Sequence, residues 1–261
     1  MALPPALQPV VESPASCALF VDFDGSLAPI VPDPASARVL PAARAALARV
    51  APHLGRVAVV SGRTAEFLMA AVDVGGVEHV GAYGLERVVG GVVVVDSRAA
   101  PFLDAVAQAA REAHSAFPDL LVESKGEVAV TLHWRSQPGR GTEVIEWAEA
   151  AAARLGLDAP LRGRMAVELR PPVPVDKGTS VVDLARGMTT AVFAGDDAGD
   201  VPAFDALHVL VDAGVLAHGV SIGVCSDESP AAINAADVVV DGPTGLAALL
   251  DELADALSGR G

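Results

Sequence analysis

Short apolar runs alternate with stretches of helical period along most of the chain. "ALFVDF" reads as a strand, residues 41 to about 54 as a helix, "RVAVVSG" as a strand, residues 64 to about 72 as a helix, and "HVGAYG" as a third strand. Continuous apolar strands separated by helices predict a parallel sheet covered on both faces. "RVVGGVVVVD" predicts a hairpin that turns at Gly90 and Gly91.

The pattern changes in the middle of the chain. A helix expected over about 101–117 leads into "LLVESKGEVAVTLHWR", two runs about Lys125 and Gly126 that read as an antiparallel hairpin. A helix over 142 to about 155 precedes one more strand, "RMAVELR". This arrangement predicts a small α+β lobe with its own sheet, at about 99–172 and bounded by the proline-rich "RPPVPV". The first pattern then resumes with a helix after Asp176, strand "AVFAG" ending in Asp196 and Asp197, and a helix after Asp200. Strands "GVSIGV" and "ADVVVDG" and a helix from Pro243 to about Leu257 complete it. The expected organisation is a flexible, proline-rich segment over 1–16, an α/β core over 17–98 and 173–261, and the inserted lobe over 99–172.

Composition narrows the function. With 261 residues, 52% apolar and 20% charged, the chain is an ordinary globular protein and is neither disordered nor fibrous. A net charge of -15 argues against nucleic acid, whose binders cluster Lys and Arg to displace counterions. An anionic substrate would instead have to be met by a few placed cations or by a metal ion. Cys17 and Cys225 sit in apolar runs, without the spacing of a zinc site or a disulfide framework, so a reducing, cytoplasmic compartment is expected. No apolar stretch approaches the roughly 20 residues that span a bilayer, and no membrane partner is expected. The first 16 residues hold four prolines and no basic side chain, unlike a secretory signal.

Ligands of parallel α/β sheets bind at the carboxyl ends of the strands. Three such ends carry unusual polar groups: Asp22, Asp24 and Ser26; Ser61, Gly62 and Arg63; and Asp196, Asp197 and Asp200. One aspartate at a strand end caps a helix or makes a turn. Five carboxylates gathered at one edge repel one another unless a cation lies among them. Hard oxygen ligands and incomplete enclosure suit magnesium, which also binds a substrate phosphate.

"DFDGSLAPI", "VVSGR", Lys177 in "DKGTS" and "GDDAGD" resemble, in order, the four motifs of haloacid dehalogenase-like phosphatases. Within that superfamily, "DGSLAPIVPDPASA", "GAYGLE", "VESKGEVAVTLHWR" and "VELRPP" are similar to the trehalose-6-phosphate phosphatases, from about Ala18 to Leu257. The resemblance implies a Rossmann-like core with an inserted α+β cap domain that closes over a sugar phosphate. It implies Asp22 as the nucleophile, Asp24 as the general acid and base, and Lys177 as the cation that neutralises charge on the phosphoryl group. Magnesium would be held by Asp22, Asp24 and Asp196, with Asp197 and Asp200 orienting its surroundings. Ser26, Ser61 and Gly62 would meet phosphoryl oxygens, helped by backbone N–H groups near Gly25 and Gly62. Arg63, Glu123, Lys125, His133, Arg135 and Glu168 would meet the sugar. A trehalose-6-phosphate synthase is a protein partner that the resemblance admits. Ser26, Tyr83, Gly199 and Val201 depart from the commoner pattern of the family.

Lys177 has support of its own. Sixteen arginines stand against two lysines, Lys125 and Lys177, so a lysine marks a place that wants a compact ammonium. The residues leave other readings open: a phosphatase for sucrose phosphate or mannosyl-phosphoglycerate, a hexose phosphomutase, or a sugar-phosphate sensor without catalysis. A receiver-type signalling domain would give the inserted lobe no role, and no GxGxxG or Walker-type loop follows a strand.

Overall fold

The computed structural model describes residues 3–31, 33–225 and 230–259; Pro32, within the "DGSLAPIVPDPASA" stretch, lies outside the described residues. The chain forms two compact units, 1–84 with 175–261, and 85–174. The second unit is wider than the lobe expected over 99–172, because it begins at Leu85 and takes in the Gly90–Gly91 hairpin.

In the first unit, helix α1 (Gln8–Glu12) precedes strand β1 (Cys17–Val21). Helix α2 (Pro41–Val50), strand β2 (Arg56–Val60), helix α3 (Ala65–Val72) and strand β3 (Val77–Gly81) follow. The start is therefore not the flexible segment that its prolines predicted. Leu7, Val10 and Val11 are buried in the core, and burying each contributes about 1.5–3 kcal/mol, enough to order a short stretch.

The second unit opens with strands β4 (Glu86–Val89) and β5 (Val92–Val95). They are joined by Gly90 and Gly91 at φ +60° and +81°, the left-handed pair that a two-residue hairpin requires. Helix α4 (Leu103–Ala116), strands β6 (Leu121–Lys125) and β7 (Ala129–His133), helix α5 (Gly141–Leu155), and strands β8 (Leu161–Gly163) and β9 (Ala166–Leu169) complete it. The antiparallel sheet has the order β6-β7-β9-β8. One face, Val130, Leu132, Val167 and Leu169, packs with Val106, Ala109 and Ala113 of α4 and Val144, Ala148 and Ala151 of α5. Strand β8 escapes sequence reading because three exposed residues carry no alternation.

The first unit resumes with helix α6 (Lys177–Leu184), strand β10 (Thr190–Gly195), helix α7 (Val201–Asp212) and strand β11 (His218–Val224). Helix α8 (Pro230–Ala235), strand β12 (Val238–Val240) and helix α9 (Gly242–Ser258) end the fold. Six strands in the order β12-β11-β10-β1-β2-β3 run parallel. Leu19, Val21, Val57 and Val59 face one layer with α2, α3 and α9, while Ala18, Phe20, Ala58 and Val60 face the other with α6 and α7. Strand β1 is the central switch point: the chain winds outward through β2 in one direction and β10 in the other, leaving a crevice at its carboxyl end.

His79 on β3 is buried, and its Nε2 has no hydrogen-bond partner among the described residues. Burial pushes its imidazole below the ordinary histidine value. The unfolded chain therefore takes up a proton near pH 6.5 while the folded protein resists it, and stability falls as pH drops below that value, by at most about 1.4 kcal/mol per pH unit. Chemical unfolding of His79→Leu between pH 7.5 and 5 should show a shallower acid loss than the native chain; an unchanged slope would count against the assignment.

Candidate active site

Register brings the polar strand ends together. Val21 of β1 lies beside Ala194 of β10 and Val59 of β2, so Asp22, Asp196 and Ser61 emerge at one edge of the sheet. The Asp22 N–H still donates to the Ala194 carbonyl at 2.8 Å. One carboxylate oxygen from each of Asp22, Asp196 and Asp200 can be chosen so that all three lie within 4.8 Å of one another. These residues are 4%, 2% and 0% exposed, so their mutual repulsion is hardly screened by water.

Lys177 answers part of that repulsion. Asp176 caps α6 through a reciprocal box with Thr179, at 2.7 and 3.0 Å, which fixes the first helical turn and the direction of Lys177. A Cβ on Gly178 would overlap the Pro202 carbonyl, so glycine lets α6 approach α7. The Lys177 Nζ then stands 2.8 Å from Asp22 Oδ1 and 2.6 Å from Asp200 Oδ1. Asp200 Oδ2 accepts the N–H groups of Asp196 at 2.9 Å and Asp197 at 3.1 Å. Asp200 thereby ties the lysine to the loop that carries Asp196.

Burial pushes the Asp22 carboxyl well above the usual carboxylate range; Lys177 opposes the rise, and Asp200 and Asp196 add to it. Asp200 is raised by burial too, again against the pull of Lys177. Desolvation acts to lower the Lys177 ammonium, but Asp22, Asp200 and Asp197 outweigh it and hold it well above its ordinary value. Three buried carboxylates beside one ammonium leave an excess of negative charge, and all their donors are hard oxygens. Ser26 Oγ is also buried without a hydrogen-bond partner among the described residues. This acidic cluster is compatible with a metal ion.

The other expected residues divide. The Asp24 carboxylate turns from the cluster to Arg63, whose Nε and Nη2 each meet one of its oxygens at 2.7 Å. Asp197 Oδ1 accepts the Gly199 N–H at 2.8 Å and lies outside the group of three. The Gly25 N–H is committed to the Ala28 carbonyl at 2.8 Å and the Ser61 N–H to the Val80 carbonyl at 3.0 Å. Of the backbone N–H groups in this stretch, the one on Gly25 itself is therefore taken up inside the loop. Glycine is needed there for another reason: φ is +78°, and a Cβ would overlap the Asp196 carboxylate.

Sequence reasoning set Tyr83 aside as a departure from pattern and gave it no place in the site. Its ring lies over Gly62, 2.7 Å from where a Cβ would stand. Ala82 and Tyr83 both have positive φ, +48° and +58°, and their N–H groups donate to Arg63 and Ser61 carbonyls at 2.7 and 3.0 Å. Two successive non-glycine residues in the left-handed region are held by that lacing. Only the contact with Gly62 could have signalled it, and that contact is not local.

In the second unit the polar candidates share the face opposite the helices. Register sets Glu123 across from Thr131 and Thr131 across from Glu168. Lys125 Nζ meets Glu168 Oε2 at 2.6 Å, Thr131 Oγ1 donates to the same oxygen at 3.1 Å, and His133 Nε2 lies 3.0 Å from Glu123 Oε2. Arg135 is exposed beyond the end of β7. Thr131 was missed, although the alternation of "TLH" places it on the face of His133.

A family model described as trehalose-phosphatase matches residues 20–243. A trehalose-phosphate phosphatase of Mycolicibacterium paratuberculosis is 35% identical over 251 residues, covering 92% of this chain and 62% of that protein. Its counterpart from Mycobacterium marinum is 32% identical, covering 94% of this chain and 63% of that protein. The chain thus spans less than two thirds of the length of these relatives. A crystal structure of a trehalose-6-phosphate phosphatase related protein superposes with a TM-score of 0.76 at 21% identity, over 94% of this chain and 100% of that one. A haloacid dehalogenase-like hydrolase from Bacteroides thetaiotaomicron gives 0.60 at 15% identity, over 90% and 98%. At such identities the structures speak for the fold alone. Among the described residues no helix is long and apolar enough to cross a membrane.

Replacing Lys177 by Met leaves buried carboxylates without their cation and should lower stability by about 3–5 kcal/mol in the presence of a chelator. The acids of that variant have folded-state values raised further above the unfolded ones, so its deficit should shrink as pH falls towards about 4. Denaturant titrations at several pH values check both statements, and a deficit that grows with acid would reject the charge balance described here.

Proposed function

The chain belongs to the trehalose-phosphatase family, and we propose that it hydrolyses trehalose 6-phosphate to trehalose and phosphate with magnesium bound, as a soluble cytoplasmic enzyme. The observation that carries this reading is the convergence of Asp22, Asp196 and Asp200 on one point beside Lys177. Phosphoryl transfer needs charge stabilisation at a fixed place, and a receiver-type signalling domain, which also gathers acids and a lysine, would leave the second unit without a role.

Asp22 attacks phosphorus and takes the phosphoryl group as an aspartyl phosphate, which splits one hard displacement into two easier ones. Its neighbour Lys177 holds one carboxylate oxygen at 2.8 Å, leaving the other for attack, and meets the negative charge that moves onto the phosphoryl oxygens. Asp24 gives a proton to the departing sugar oxygen and then takes one from the water that attacks the acyl phosphate. Asp22, the backbone carbonyl of Asp24 and Asp196 would hold the magnesium ion, which supplies charge neutralisation at the phosphoryl group when bound. Ser26 Oγ and Ser61 Oγ are hydroxyls at the strand ends suited to phosphoryl oxygens, and the backbone at Gly62 would meet the same group.

Glu123, Lys125, Thr131, His133 and Glu168 form the set for the sugar hydroxyls, with Arg135 at its margin. Carboxylates and cations on one face suit a ligand made of neighbouring hydroxyls, and groups built to bond hydroxyls reject a ligand that lacks them. Partnership with a synthase belongs to the longer relatives' context as a proposal on the same footing.

Phosphate release should be measured on a panel of sugar phosphates with magnesium and with a chelator. Trehalose 6-phosphate should be preferred, the chelator should abolish turnover, and Asp22→Asn should leave no measurable activity. Asp24→Asn should lose about 100-fold or more. Faster turnover of another sugar phosphate would displace the substrate, and full activity of Asp22→Asn would remove the mechanism.

A further inference from the structure

The resemblance made Arg63 a substrate-binding residue, yet its guanidinium is already engaged. Nε and Nη2 take the two Asp24 oxygens at 2.7 Å each, and Nη1 donates to the Pro34 carbonyl at 2.9 Å. The guanidinium carbon lies 4.8 Å from the centroid of the Phe67 ring, and Phe67 meets Phe23 edge-on with centroids 5.3 Å apart. The Arg63 side chain is 18% exposed and that of Asp24 37%, so the pair stands at the lip of the site while Asp22 lies beneath it. The Arg63 backbone is held as well, since its carbonyl accepts the Ala82 N–H at 2.7 Å.

We propose that Arg63 is a positioning residue for Asp24, fixing the plane and direction of the carboxyl that moves the proton in both steps. The inference rests on the phosphatase reading of the site and deepens it. An aspartate side chain has two free torsions, and a planar fork anchored to Pro34 and Phe67 restrains both, which a single-point ammonium does not. In the first step the bond from Asp22 oxygen to phosphorus forms and the bond from phosphorus to the sugar oxygen breaks, as the Asp24 proton passes to that oxygen. Before that transfer one carboxyl oxygen carries the hydrogen while the other accepts from the fork, and after it both oxygens are free to accept, as in the pair seen here. In the second step water gives a proton to Asp24, its oxygen bonds to phosphorus, and the Asp22 oxygen leaves.

An alkyl oxygen departs poorly without a proton, whereas p-nitrophenolate spreads its charge over the ring and leaves unaided. The first step on trehalose 6-phosphate therefore depends on Asp24 far more than the first step on p-nitrophenyl phosphate. Single-turnover release, with enzyme in excess and magnesium present, separates the roles in Arg63→Gln and Arg63→Lys, with circular dichroism and thermal midpoints confirming the fold. Arg63→Gln should slow trehalose release about 100-fold, p-nitrophenol release less than tenfold, and change KM for the sugar phosphate less than threefold. Arg63→Lys should recover little of the loss, and added guanidinium ion should restore part of it in Arg63→Gln. Equal slowing of both alcohols would mean a merely structural role, and a raised KM with an unchanged rate at saturation would return Arg63 to substrate binding; either overturns the proposal. If the native chain releases p-nitrophenol but not trehalose, the substrate reading fails separately, and Arg63 is judged on the best alkyl phosphate in the panel.

Discussion

The contact of Lys177 with Asp22 and Asp200 is the constraint to which the rest of the first unit is fitted. Taking an ammonium and several carboxylates out of water costs several kcal/mol per ion before any attraction is counted. The arrangement persists because every neighbouring element holds one of its parts. The capping box at Asp176 orients the lysine, Gly178 admits the second helix, and Asp200 spends both oxygens on donors. Gly25 leaves room for the Asp196 carboxylate. The apolar layers on either side of the sheet supply the burial that offsets so costly a centre.

Asp22 and Asp24 are two residues apart and chemically alike, yet they meet different surroundings. Asp22 is buried against a compact ammonium and beside other acids. Asp24 is partly exposed and gripped by a planar guanidinium. One is held out of water by a point charge, and the other stands where water can reach it. The difference between these two carboxylates comes from environment and not from residue type.

The second unit separates its polar and apolar groups more cleanly. The pairs Lys125–Glu168 and His133–Glu123 lie on one face of a sheet whose other face is packed on helices, while pairs such as Arg154–Glu112 and Arg140–Glu143 involve the helices themselves. A partly exposed pair such as His133–Glu123 costs less to form than the buried centre of the first unit and contributes little to stability. The row from Glu123 through Thr131 to Glu168 is set by strand register, which presents the groups at fixed intervals.

Periodicity was enough for the parallel sheet, the Gly90–Gly91 hairpin and the antiparallel pair about Lys125 and Gly126, because alternation and turn chemistry are local. The polar strand ends were likewise enough to gather Asp22, Ser61, Asp196 and Asp200, since a parallel sheet puts all its carboxyl ends on one edge, whereas Lys177, at the start of α6, was legible only from its motif and from the scarcity of lysine. What lay beyond the sequence were contacts between distant segments. The burial of Leu7, the Tyr83 ring over Gly62, the capture of the Gly25 N–H by Ala28, and the grip of Arg63 on Asp24 depend on how loops pack in three dimensions. Residue type and spacing say which groups arrive at an edge; only tertiary packing decides which of them face each other, because a side chain's partner is set by every segment that competes for the same space.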